Sequence, residues 1–113
     1  MCSTNNLNNI IDVITRSYKD VYGEDIVRIL LYGSYARGDN CDDSDVDIVA
    51  IVRGERQSLQ ERLRKIWDIS SDLELEYGTI TSPTVIPADE FERFKEALPY
   101  YRNIMEEGVE LIA

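Results

Sequence analysis

Two short clusters in this 113-residue chain have the residue types and spacing for chemistry, Gly33-Ser34 and Asp45-Val46-Asp47. If the second lies on a strand, residues i and i+2 share a face, and the two carboxylates stand side by side with Cα atoms about 6–7 Å apart. Carboxylates that close repel and raise each other's pKa unless a cation lies between them. Magnesium, a hard oxygen-seeking cation, commonly takes one or two carboxylates together with substrate phosphates. Two such ions about 3.5–4 Å apart are the usual device for in-line phosphoryl displacement. The alternative is that Asp45 caps a turn and Asp47 is a solvated surface acid, since Asp-x-Asp arises easily by chance among 22 acidic residues. Context favours a metal shelf. Asp is a poor strand former, yet this pair opens the most apolar stretch of the chain, Ile48-Val49-Ala50-Ile51-Val52.

Gly33-Ser34 directly follow the apolar, β-branched run from Ile26 to Tyr32. A glycine there lets backbone approach a ligand closely. Ser34 capping a short helix from Ser34 to Arg37 would leave backbone N–H groups where phosphates bind well. A plain strand-to-turn glycine with a serine cap is the other reading. The segment is not a P-loop, because Asp39-Asn40 stands where Lys-Ser/Thr is required, and the G-x-G-x-x-G dinucleotide fingerprint is absent. Arg37 either offsets triphosphate charge or pairs with Asp39, Asp42 or Asp43. Tyr35 either stacks on a base or is an exposed turn aromatic.

The elements that must position these groups follow from periodicity. Leu7, Ile10, Ile11, Ile14, Tyr18 and Val21 recur at helical spacing, predicting an amphipathic helix over residues 6–22 ended by Gly23. Ile26 to Tyr32 reads as a buried strand, and Asp45 to Val52 as a second strand closed by Gly54. A helix is expected over 58–71, with Leu59, Leu63, Ile66 and Trp67 on its inner face. Leu73, Leu75 and Tyr77 alternate with Glu74, Glu76 and Gly78, predicting a third strand within 73–86. Asp89 to Leu98 reads as a helix with Phe91 and Phe94 inward, broken by Pro99, and Tyr100 to Glu107 as a last helix stopped by Gly108. Tyr100, Tyr101 and Arg102 form either a partner-facing patch or, for one tyrosine, core packing. The order is helix, strand, loop, strand, helix, strand, helix, helix, an α+β arrangement of a small mixed sheet with flanking helices.

Composition bounds the function classes. The length predicts a single domain over 1–113 with a modest core, burying roughly two-thirds of the unfolded chain's surface. Hydrophobic residues are 43% and charged residues 30%, ordinary for a globular domain. The formal net charge of −10 and the lack of a basic stripe argue against a nucleic-acid partner. The sequence has no histidine, which excludes His-based triads and His-ligated zinc. Cys2 and Cys41 do not make a disulfide framework. With no charged-then-apolar leader and no apolar run near a membrane span, a cytoplasmic setting is expected.

Together, Gly33-Ser34-Tyr35-Ala36-Arg37-Gly38, ten intervening residues from 35 to 44, and Ser44-Asp45-Val46-Asp47-Ile48-Val49 resemble the minimal nucleotidyltransferase family of the polymerase-β-like superfamily. The resemblance implies that Asp45 and Asp47 hold two Mg²⁺ ions and that Gly33 and Ser34 hold the β- and γ-phosphates of ATP or another nucleoside triphosphate. It implies transfer of a nucleoside monophosphate to an acceptor hydroxyl with release of pyrophosphate. The family also uses a third carboxylate on the next strand. Glu76 is the favoured candidate, Glu74 shares its face, and relatives often carry an acid where this chain has Gly78. Because a chain this short leaves no room for an acceptor-binding domain, the acceptor is expected on a separate protein. The resemblance points to the antitoxin of a toxin–antitoxin pair with a HEPN-type toxin as partner. A binding module that masks its partner without turnover is the alternative.

Overall fold

The computed structural model describes residues 4–32 and 46–112. Helix α1 (Thr4–Tyr22) leads through a single 3₁₀ turn into β1 (Ile26–Tyr32), and β2 (Val46–Val52) precedes the long helix α2 (Arg56–Tyr77). Strand β3 (Thr81–Pro87), short helices α3 (Ala88–Phe94) and α4 (Pro99–Glu107), and strand β4 (Val109–Ile112) complete the described order. The sheet runs β3-β2-β1-β4. Strands β1 and β2 are antiparallel, as are β1 and β4, while β2 and β3 are parallel and joined by the α2 crossover. This is the mixed sheet with flanking helices expected of an α+β chain.

Strand β2 is apolar on both faces, so both must be covered. On one face, Val46, Ile48, Ala50 and Val52 pack with Ile10, Ile14, Tyr18 and Tyr22 of α1 and Leu59, Leu63, Ile66 and Leu73 of α2. On the other, Val49 and Ile51 pack with Leu30, Ile86, Phe91, Tyr101 and Ile104. The two sets alternate along the strand, as the period of two requires.

A buried hydroxyl joins the first helical layer to the sheet. The Tyr18 phenol donates toward the Ile48 carbonyl at 2.8 Å, with the Thr84 carbonyl at 2.9 Å, and accepts from the Thr84 N–H at 3.0 Å. It thus bridges β2 and β3 one residue beyond Asp47. Ser70, buried on α2, donates to the Thr81 carbonyl at 2.9 Å and ties the start of β3 to the same layer.

Three expectations are corrected. Residues 73–77 are not strand but the last turns of α2, because Leu73 completes the inner stripe Leu59, Leu63, Ile66, Ser70, Leu73, whereas Leu75 is 85% exposed. Trp67 lies off that stripe and is 48% exposed rather than inward. Pro99 does not merely break a helix but opens α4 at its first position, where its missing N–H costs nothing. Strand β4, absent from the sequence reading, pairs with β1 after Gly108, where a Cβ would meet the Ile104 carbonyl oxygen at 2.5 Å.

Replacing Tyr18 by Phe keeps the ring but removes the hydroxyl that bonds the Thr84 N–H and the Ile48 carbonyl, so urea unfolding should show a loss of about 1–3 kcal/mol. Burial holds the Tyr18 phenol well above its usual value and pushes Tyr22 up to about 12 despite the Arg62 guanidinium nearby. An unfolded phenol ionises near ~10. The stability these two tyrosines contribute is therefore complete below that pH and should fall as pH rises from there, which unfolding curves at stepped alkaline pH would register.

Candidate active site

Of the residues proposed to act on a nucleotide, Gly33, Ser34, Arg37 and Asp45 lie outside the described residues. The turn acids Asp39, Asp42 and Asp43, together with Tyr35, Cys2 and Cys41, do as well. Asp47 is described. It is the second residue of β2, half-buried, on the face covered by α3 and α4 rather than by α1 and α2.

Register defines its surroundings. Across β1 its partner is Tyr32, the last residue of that strand, and across β3 its partner is Ser82. Directly paired residues in a sheet share a face, so Tyr32, Asp47 and Ser82 form a row. The chain leaves β1 at Tyr32, and Gly33-Ser34 are its next two residues. The end of β1 and the start of β2 therefore lie abreast. The Val46 N–H donates to the Ile80 carbonyl at 2.9 Å, which fixes the approach to β3 at the same edge.

Above this row sits an aromatic ladder. The Tyr100 ring meets Tyr32 edge-on at 6.0 Å, Tyr100 meets Tyr101 at 5.9 Å, and Tyr101 meets Phe91 at 5.7 Å. Tyr101 is buried, whereas Tyr100 is 46% exposed, so of the two tyrosines one packs into the core and the other faces outward. Partial burial, then the negative charge of Asp47, then Tyr32 raise the Tyr100 phenol above its usual range. At the far end, Tyr101 donates to Glu90 at 2.7 Å, and the Arg56 guanidinium pairs with the same carboxylate, linking the start of α2 to α3 and α4. The Tyr101 hydrogen bond, followed by Arg56, holds the Glu90 carboxyl below the usual range.

The position expected for Glu76 is corrected. It lies exposed in the last turn of α2, in the helical layer on the sheet face opposite Asp47, and Glu74 is in the same turns. The period-two argument for either residue does not apply to a helix. Gly78 is also not on a strand. It ends α2 in the left-handed region at φ +69°, its N–H donating to the Glu74 carbonyl at 2.8 Å, a conformation an acidic residue rarely adopts. Strand β3, Thr81–Pro87, carries no acid, and the residue beside Asp47 is Ser82.

The donors in the row are oxygens, one carboxylate and two hydroxyls, with no histidine anywhere in the chain. That chemistry suits a hard cation sharing its coordination with phosphate. Among the described residues no three Asp, Glu, Cys or His side chains come together. Tyr32 and Ser82 were not foreseen beside Asp47, because only long-range strand register brings them there, and Tyr100, foreseen as part of a surface patch, is linked to that row only through its ring contact with Tyr32. The one local signal was the adjacency of Tyr32 to Gly33. Among the described residues, no helix is long and apolar enough to cross a membrane.

Comparison with known proteins gives a consistent result. A family model described as a nucleotidyltransferase domain matches residues 10–111. Three relatives from Methanocaldococcus jannaschii carry the name "Putative protein adenylyltransferase". One is 35% identical over 71% of this chain and 54% of its own length. A second is 38% identical over 67% of this chain and 78% of its own, and a third 31% identical over 80% and 82%. The chain therefore spans about half the length of the first. A solved structure of a toxin–antitoxin with AMP-PNP shares the fold, with TM-score 0.57 and 16% identity over 90% of this chain and 72% of that one.

The Glu90 network sets an acid limit. Because its folded pKa is lowered, Glu90 contributes stability present above its unfolded value of ~4.3 and lost as pH falls through the folded value. Urea unfolding at stepped acidic pH should show this loss in the wild type and a flatter profile in Glu90→Gln.

Proposed function

The chain belongs to the nucleotidyltransferase domain family, in its minimal form, and from that premise we propose that it transfers AMP from ATP to a hydroxyl on a protein partner. The observation that carries this reading is the register of the sheet. Tyr32, immediately before Gly33-Ser34 in the sequence, is the direct cross-strand partner of Asp47, a pairing that supports a phosphate-binding role for the first pair beside a cation-binding role for Asp47. The names of the relatives support adenylyl transfer to protein, and their lengths leave the full extent of the activity part of the proposal.

In this reading Asp45 and Asp47 would hold two Mg²⁺ ions, Gly33 and Ser34 would hold the β- and γ-phosphates, and Arg37 would offset their charge. When bound, the cations neutralise charge on the α-phosphate and favour the ionised acceptor. The chain's own part is positional. The pairing of β2 with two neighbours fixes the height and direction of Asp47, and the two helical layers keep the strand from shifting register. A role for Glu76 would require it to reach the site from the opposite layer; the resemblance speaks for a third carboxylate in the family, and with the strand argument gone nothing assigns it to Glu76. ATP as substrate fits a cytoplasmic setting. A HEPN-type toxin is the partner we infer, with this chain as antitoxin, a reading that the toxin–antitoxin neighbour in fold supports.

A second reading, a nucleotide-binding module that neutralises its partner by contact, is favoured by one observation. Strand β3 offers Ser82 rather than an acid beside Asp47.

The two separate on one substitution. With α-phosphate-labelled ATP, Mg²⁺ and the protein encoded beside this chain, label should pass to that protein and chelation should abolish transfer. Asp47→Asn should reduce the rate by about 10²–10³, the scale for removing a group that stabilises developing charge. A protein that binds ATP but transfers no label, and whose Asp47→Asn variant still neutralises the partner, would establish the second reading.

A further inference from the structure

The outward tyrosine of the ladder has no part in the reading above, yet its ring packs against the residue paired with Asp47. Tyr100 is the second residue of α4, whose first turn is pre-set by Pro99. Its ring is held edge-on against Tyr32 at 6.0 Å, and Tyr32 is the cross-strand partner of Asp47. The Asp47 charge is felt at its hydroxyl. About half of the side chain nevertheless remains open to solvent, unlike its buried neighbour Tyr101. A phenol carried on a helix, packed against the cross-strand partner of Asp47 and still accessible, is placed as an acceptor would be.

We propose that Tyr100 is an adenylylation site of this chain itself, modified in cis, an inference that rests on the adenylyl-transfer reading above. The Tyr100 Oη forms a bond to the α-phosphorus of ATP, and the bond from that phosphorus to the β-phosphate bridging oxygen breaks. Pyrophosphate leaves with the bond electrons, and the phenolic proton passes to solvent. The product is a tyrosyl–AMP phosphodiester, with no oxidant or further reactant needed. An AMP group at Tyr100 would lie against Tyr32 and Asp47, placing added negative charge beside a carboxylate and obstructing the next nucleotide. Modification should therefore slow transfer to the external partner.

The test uses the whole chain with ATP and Mg²⁺ and no partner, read by intact mass and by peptide mapping. The expected result is a gain of one AMP per chain, mapped to Tyr100, at a rate per chain unchanged on dilution. Tyr100→Phe keeps the ring contact and should take up no AMP. Thermal unfolding of that variant checks its fold, and mapping of the wild type needs no variant. AMP found on another residue, or an unmodified chain that still labels the partner, overturns the inference and leaves the transferase reading standing. Absence of label on both chain and partner overturns both.

Discussion

Strand β2 is hydrogen-bonded on both sides and apolar on both faces, and everything else in the molecule answers to that. A strand buried twice cannot be covered by one layer. Helices α1 and α2 supply one cover and α3 with α4 the other, and each places its aliphatic or aromatic residues against alternate positions of the strand. A slip of one residue would turn both sets inside out. The same constraint holds Asp47, at the strand's opening, in a fixed row with Tyr32 and Ser82.

Polar groups reinforce this arrangement where burial would otherwise be costly. The Tyr18 hydroxyl sits where β2 and β3 meet and satisfies backbone groups of both. A buried hydroxyl in that position is stabilising only while its partners stay in register, so it also selects the register. Ser70 acts similarly where β3 begins. On the other face the Arg56–Glu90–Tyr101 network links three helices at the surface, where solvent weakens ion pairs and the tyrosine hydrogen bond matters more.

Much of this was legible in the chain because local patterns and tertiary demands agree. Ile26 to Tyr32 reads as a short strand and is one, buried at Ile29, Leu30 and Leu31, and Ile10, Ile14 and Tyr18 repeat at the spacing of the helix they form. Residues 73–77 were misread because Leu73, Leu75 and Tyr77 satisfy a strand alternation that the α2 stripe overrides at Leu73 alone. With that error went the reasoning for Glu76. Asp47 was visible from its misfit in an apolar strand. Its neighbours were not, since a thirteen-residue connection from 33 to 45 gives no clue to the pairing of its two ends. The four-residue β4 carries too short an alternation to stand out from a helix end.

The chain belongs to the nucleotidyltransferase domain family, and the site proposed for it is a magnesium-dependent nucleotide site organised by Asp47 at the start of β2. The most direct test is calorimetric titration of ATP into the folded chain with and without Mg²⁺, in the wild type and in Asp47→Asn. Binding that requires Mg²⁺ in the wild type and loses that requirement, along with most of its affinity, in the variant is the predicted result. ATP binding of equal strength in both proteins and indifferent to Mg²⁺ would contradict it.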